Sequence, residues 1–190
     1  KPLSPQALTL TQYLTQAAEQ KGGTAIRVQG PTAAAGSHGQ TYLPANIDLP
    51  FTLKFSNTTA QPAGEIRLVT KIDTNLDAYS VRLKDLKIGD INIHLPGDKA
   101  VFQGDFDFTE SKGFIVRVSA GVDAERGIIT WLLQAVDPET GQVVSDGIRG
   151  LLPEKDASSA TLNTGYVAYT VAARENMVDD AEVTAQARLF

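Results

Sequence analysis

A chain of 190 residues, 42% hydrophobic and 21% charged, can bury the core of one domain without disulfides or a structural metal. Its 17 basic and 22 acidic residues leave a net charge of -5, and no Lys/Arg run offers the basic face that phosphate neutralisation needs, so nucleic acid is excluded as the expected partner. The absence of cysteine excludes disulfides, thiolate nucleophiles and Cys-ligated zinc, and no apolar run reaches the ~18 residues that would insert into a membrane.

The chain opens with Lys1-Pro2-Leu3-Ser4, which is neither an initiator Met nor a signal peptide and predicts a piece processed or excised from a longer polypeptide. Residues 4–20 (SPQALTLTQYLTQAAEQ) place Ser4 and Pro5 as cap and first turn, with Leu10, Tyr13, Leu14, Ala17 and Ala18 on one helical face. The opposite face is Gln/Thr rather than Lys/Arg, which fits a packed or linking helix and not one lying on a membrane. Residues 1–29 are therefore read as an N-terminal helix and linker, and residues 30–190 as a single β-sandwich domain. The Gly/Ala/Ser stretch at 30–40 has no periodicity and reads as a loop.

From Tyr42 the period changes to two. Phe102, Phe106 and Phe108 alternate with Gln103, Asp105 and Asp107, and Phe114, Val116, Val118, Ala120 and Val122 alternate with Arg117 and Ser119. Val167, Tyr169 and Val171 line one side of 165–173, and Val183, Ala185, Ala187 and Leu189 one side of the C-terminal segment. With 51–56, 65–72, 79–83, 90–94 and 127–136 the total is about nine strands separated by Gly, Pro, Asn and Asp. Clean alternation means one wet face per strand, as in antiparallel sheets. The expected fold is all-β: two packed antiparallel sheets, an Ig-like or jelly-roll-like sandwich, with a short N-terminal helix.

Candidate chemistry is sparse. His38 lies in the Gly-rich loop and His94 at a strand end, too few for a zinc site and without a serine elbow for a hydrolase triad. Asp105 and Asp107, i and i+2 on one strand face, sit about 7 Å apart and form the best acid–base pair for a hydrolase, although they face away from the phenylalanines. Calcium is the other candidate, with oxygen ligands at Asp73, Asp77, Asp123 and Asp137, accompanied by Glu125, Glu139, Asp179 and Asp180. None of these matches an EF-hand loop. Each acid also suits a turn, above all in Asp137-Pro-Glu-Thr-Gly141, where Pro supplies φ near -65° and Gly a positive φ. Trp131, midway along the strand before that turn, is expected in the core.

Several strings together resemble an uncharacterised β-sandwich repeat of very large bacterial secreted and surface proteins. They are residues 42–57 (YLPANIDLPFTLKFSN, ending in Phe-x-Asn), Ile72-Asp73 with Asn75-Leu-Asp77, residues 86–90 (LKIGD), 113–123, and 127–141 with its Trp and Asp-Pro-x-Thr-Gly. Residues 150–153, 165–171 and 185–190 complete the series. The resemblance covers about residues 30–190. It implies a non-catalytic structural or adhesion module outside the bacterial cell, a spacer or assembly unit whose partners are neighbouring domains or copies of itself. It implies no catalytic residues and no cofactor, with calcium as the exception to test. The alternative is a carbohydrate-binding module, calcium-assisted and taking polysaccharide, which exposed rings among Tyr42, Tyr79, Tyr166, Tyr169 and Trp131 on one sheet face would favour.

Overall fold

The alternation predicted from Tyr42 onward builds two antiparallel sheets whose apolar faces meet. The computed structural model describes residues 24–31, 34–35, 41–42, 47–155, 162–174 and 183–189. In chain order the strands are β1 (Thr24–Gln29), β2 (Ala34–Ala35), β3 (Thr41–Tyr42), β4 (Asp48–Asn57), β5 (Glu65–Lys71), β6 (Leu76–Ile88), β7 (Ile91–Ile93), β8 (Val101–Phe108), β9 (Phe114–Asp123), β10 (Ile128–Val136), β11 (Thr164–Ala173) and β12 (Gln186–Leu189). A single helical turn, α1 (Thr109–Lys112), joins β8 to β9. The first sheet has the order β1-β4-β11-β6-β7, the second β12-β5-β10-β9-β8, and β2 pairs with β3 apart from both. The fold is the expected all-β two-sheet sandwich.

Inward residues of the two sheets form one core. Leu49, Phe51, Leu53 and Phe55 of β4 and Val167, Tyr169 and Val171 of β11 belong to it from the first sheet. Ile66 and Leu68 of β5, Ile129, Trp131 and Leu133 of β10, and Phe114, Val116 and Val118 of β9 belong to it from the second. At its centre the ring of Phe51 stacks on Tyr169 (centroids 5.2 Å, planes 9° apart) and Trp131 tilts against the same tyrosine at 5.8 Å. Trp131 is thus the core residue the sequence predicted. Such aromatic pairs add about 0.5–1.5 kcal/mol each beyond area burial.

A short polar chain crosses this apolar layer. Burial pushes the Tyr169 phenol well above its usual pKa, against a smaller opposing effect of its hydrogen bond with Thr70. The Thr70 hydroxyl donates onward to the Gln186 carbonyl at 2.7 Å, so the phenol is the donor to Thr70. One bond links the sheets and the next reaches β12. Along the same flank β1 and β12, edge strands of opposite sheets, approach one another.

The loops are fixed by buried or shared polar groups. Asn57, 1% exposed, donates to the carbonyls of Gln61 (2.8 Å) and Pro153 (2.9 Å) and accepts from the Thr59 amide and hydroxyl. This single side chain ties the end of β4 to the long connection between β10 and β11. In the opening of that connection, the Gly141 amide donates to the Asp137 carbonyl at 2.8 Å with Gly141 at φ 69°, so Asp-Pro-Glu-Thr-Gly is the chain reversal expected.

Three details depart from the sequence reading. Thr24–Gln29, left in the linker, forms β1 and pairs along β4 from Thr24↔Asn57 to Gln29↔Thr52. Six residues with two buried apolar positions, Ile26 and Val28, give too little alternation to stand out. Second, the strand expected at 79–83 spans Leu76–Ile88, because two irregularities in its pairing with β11 break the period-two pattern. At one of them the Ser80 hydroxyl takes the place of a strand partner, accepting from the Ala172 amide at 2.7 Å. Third, β2, inside the stretch read as loop, forms a ladder with β3 just beyond it. The predicted N-terminal helix, with its cap and apolar face, lies outside the described residues.

Candidate functional site

Among the described residues, the acids singled out in the sequence bond to separate partners. Asp73 follows β5; one carboxylate oxygen accepts from the Asn75 amide at 2.9 Å and the other from the Thr184 amide and hydroxyl, both at 2.8 Å. Asp77 accepts from the Tyr79 amide, and Asp123 from the Arg126 amide in the β9–β10 hairpin. Asp137 accepts from the Glu139 and Thr140 amides on one oxygen and from Arg149 at 2.8 Å on the other. Among the described residues no three His, Asp or Glu side chains gather where one cation could reach them. Asp179, Asp180 and His38 lie outside the described residues.

Arg149 organises the acids of the long connection. Its guanidinium binds Asp137 and Asp146 and donates to the Gly113 carbonyl at 2.7 Å. Asp146 is depressed to about 2, chiefly by the Arg149 amide and then by the guanidinium. An open groove lies between 61–65 and 143–149, and its cation is this same Arg149, already engaged. The groove offers no free acid–base pair built on that residue.

Asp105 and Asp107 lie on the wet face of β8. The guanidinium of Arg117, directly opposite on β9, holds both oxygens of Asp105 at 2.9 and 2.8 Å and keeps its carboxyl below the usual range. Asp107 caps the following turn through the Thr109 amide at 2.8 Å and is lowered by Thr109 as well. Lowered carboxyls suit no general acid, and Asp105, with both oxygens held by Arg117, has none left to attack with. His94, at the end of β7, pairs with Asp85 in the open.

What β8 does present is an edge. It terminates the second sheet over eight residues, pairs with β9 from Val101↔Gly121 to Phe108↔Phe114, and has no strand on its other side among the described residues. None of its residues is buried, and Val101 is 66% exposed. The facing edge of the first sheet, β7, has only three residues, so the inward-pointing Phe102, Phe106 and Phe108 are only partly covered. Phe102 and Phe106 stack at 6.1 Å, with Gly104 between them; a Cβ at Gly104 would come within 2.9 Å of the Phe102 ring. A flat aromatic pair beside a free backbone ladder is a surface on which another strand can be laid. The sequence showed the alternation of β8 but not that β7 would leave it uncovered.

The tyrosines whose side chains are described divide between core and surface; the ring of Tyr42 lies outside them. Trp131 and Tyr169 are buried, whereas Tyr79, 70% exposed, and the half-covered Tyr166 lie on the outer face of the first sheet.

No family model matches the chain, and no curated protein matches it. The resemblance to a secreted repeat module therefore rests on the strings quoted above. Among solved structures, the chain is similar to a collagen-binding domain from a Staphylococcus aureus adhesin, at 12% identity and a TM-score of 0.38, over 86% of this chain and 95% of that one. It is similar also to a type II cohesin domain from the cellulosome of Acetivibrio cellulolyticus, at 13% identity and a TM-score of 0.37, over 86% of this chain and 82% of that one. Likeness at this level says nothing of what this chain binds.

Proposed function

We propose that this chain is a non-catalytic assembly and spacer module of a bacterial surface or secreted protein, joined to a second copy of itself by strand addition at β8. The observation that carries the reading is the eight-residue edge of β8, free on one side and half covered on its aromatic face. The pairing of Asp105 with Arg117 supports the non-catalytic part.

A second copy is the occupant favoured by the side chains themselves. Laid antiparallel about Gly104, two β8 strands would bring Gly104 against Gly104 and Phe102 against Phe106, with Gln103 opposite Asp105 and Val101 opposite Asp107. No like charges meet directly, the aromatic stack continues across the junction, and the glycines permit close approach. Two five-stranded sheets would become one sheet of ten strands.

Sedimentation across a wide concentration range tests this. Gln103→Glu places an acid opposite Asp105 twice per junction and should abolish association, whereas Val101→Lys opposite Asp107 should strengthen it. Monomers at every concentration would overturn self-assembly for this chain. Association indifferent to both substitutions would overturn β8 as the junction.

A further inference from the structure

No Lys/Arg run exists in the sequence, yet the pairing registers align cations from separate strands. Arg27 of β1 lies directly opposite Lys54 of β4, Lys54 opposite Tyr166 of β11, and Tyr166 opposite Lys87 of β6. Asn92 of β7 completes the row opposite Lys87. All five alternate with buried residues and so project from the outer face of the first sheet. Neighbouring strands are about 4.8 Å apart, so the row places cations at its first, second and fourth steps and a phenol ring at its third.

This row is costly to the fold. Like charges directly opposite each other, as in Arg27 and Lys54, destabilise a strand pair. Neither they nor Lys87 has a carboxylate within ion-pair distance among the described residues. On β1, β4 and β11 the flanking rows are neutral, with Ser56 and Thr164 on one side and Gln29, Thr52 and Ala168 on the other; the carboxylate of Asp85 enters only at β6. The carboxylates at the β6 end have other partners: Asp85 contacts the His94 ring, and Asp90, which also feels Lys87, pairs with Lys112 at 2.6 Å. A protein of net charge -5 thus keeps, among its described residues, a row of three cations without an ion-pair partner on one sheet face.

We infer that this row, Arg27-Lys54-Tyr166-Lys87, is a binding site for an acidic polysaccharide chain lying across the strands. The fit is one of charge and of shape. A uronate polymer carries a carboxylate on each sugar, and its repeat is close to one strand spacing, so carboxylates can meet Arg27, Lys54 and Lys87 while an intervening sugar stacks on Tyr166. An open sheet face admits such a chain anywhere along its length, without a pocket to receive an end. An acidic peptide would meet the cations equally well but brings no sugar face to the tyrosine, and a nucleic acid, whose bases could stack there, is disfavoured by the net charge of -5 and a basic surface only one row wide. The site is independent of β8, which lies in the other sheet.

Calorimetric titration with polygalacturonate oligomers tests the inference, with neutral dextran oligomers, inorganic polyphosphate and phosphatidylserine vesicles as comparison probes. The uronate should bind, and binding should weaken as salt screens the row over about a Debye length of 8–10 Å. Lys54→Glu should cut affinity at least tenfold while raising the melting midpoint, because it converts a repulsive cross-strand pair with Arg27 into an attractive one. That rise separates loss of a site from loss of the fold. Tyr166→Leu should weaken uronate several-fold and leave any polyphosphate binding unchanged. Failure of uronate to bind, equal binding of polyphosphate or vesicles, or indifference to Tyr166→Leu would each overturn the proposal.

Discussion

The two flanks of this sandwich are finished differently. On one, β1 and β12 approach, the Thr70 hydroxyl reaches the Gln186 carbonyl, and Asp73 grips the amide and hydroxyl of Thr184. On the other, β7 stops after three residues and β8 runs on for eight with no buried side chain. One flank holds its own sheets together, while the other leaves backbone and aromatic surface for something else to cover. Substitutions at the centre and closed flank should therefore cost stability, and those along β8 should chiefly cost association.

The largest contrast lies between the aromatics. Trp131→Ala should cost about 3–5 kcal/mol, since it empties the centre of the core, whereas Phe102→Ala should cost only ~1 kcal/mol because much of that ring is already wet. Urea unfolding followed by circular dichroism measures both; equal costs would erase the distinction between the flanks. Next comes Asn57→Ala, expected to lose about 2–3 kcal/mol by leaving the carbonyls of Gln61 and Pro153 without their donor. Thermal unfolding would show it, and a loss below that of Phe102→Ala would mean that water replaces the amide. Tyr169→Phe should cost about 1 kcal/mol by removing the donor to Thr70. A neutral result in denaturant titration would mean that the polar chain does not secure the closed flank.

The smallest effect belongs to the loop acids. Asp146, depressed to about 2, and Asp137, lowered first by Arg149 and then by the Thr140 and Glu139 amides, bind protons more weakly folded than unfolded. Their contribution is complete above the unfolded carboxyl value of 3.8 and fades as pH falls from there toward about 2. Midpoints measured through that window should drop, and Arg149→Met should make the drop shallower. An unchanged slope would show that the guanidinium organises the loop without affecting its titration.

The fold was legible because its signals are local. Phe114-Val116-Val118 and Ile129-Trp131-Leu133 declare their faces by alternation, and Asp123 to Gly127 and Asp137 to Gly141 declare their reversals by turn chemistry. The 13 residues of β6 were only partly legible, since bulges shift the apolar phase within the strand. The surfaces proposed to bind could not be read from spacing. Arg27, Lys54, Tyr166 and Lys87 become neighbours only through register, and β8 becomes a free edge only because β7 is short. The partners of the acids were hidden for the same reason: Asp73 meets Thr184 across 111 residues, which no local spacing announces.

The closed flank also sets an order of events in time. β8, β9 and β10 follow one another and pair in sequence, so they need only short loops to form. The bond from Thr70 to Gln186 spans 116 residues, and that from Asp73 to Thr184 spans 111. Ordering so long a loop comes before any contact repays it, so these closures are expected late and slow. The hairpins of the second sheet can then exist before β11 and β12 arrive, with Trp131 still lacking Tyr169 across the core. Its fluorescence in stopped-flow refolding reads the arrival of β11. A slow phase that vanishes in a chain cut before residue 164 would identify that docking as the rate-limiting step.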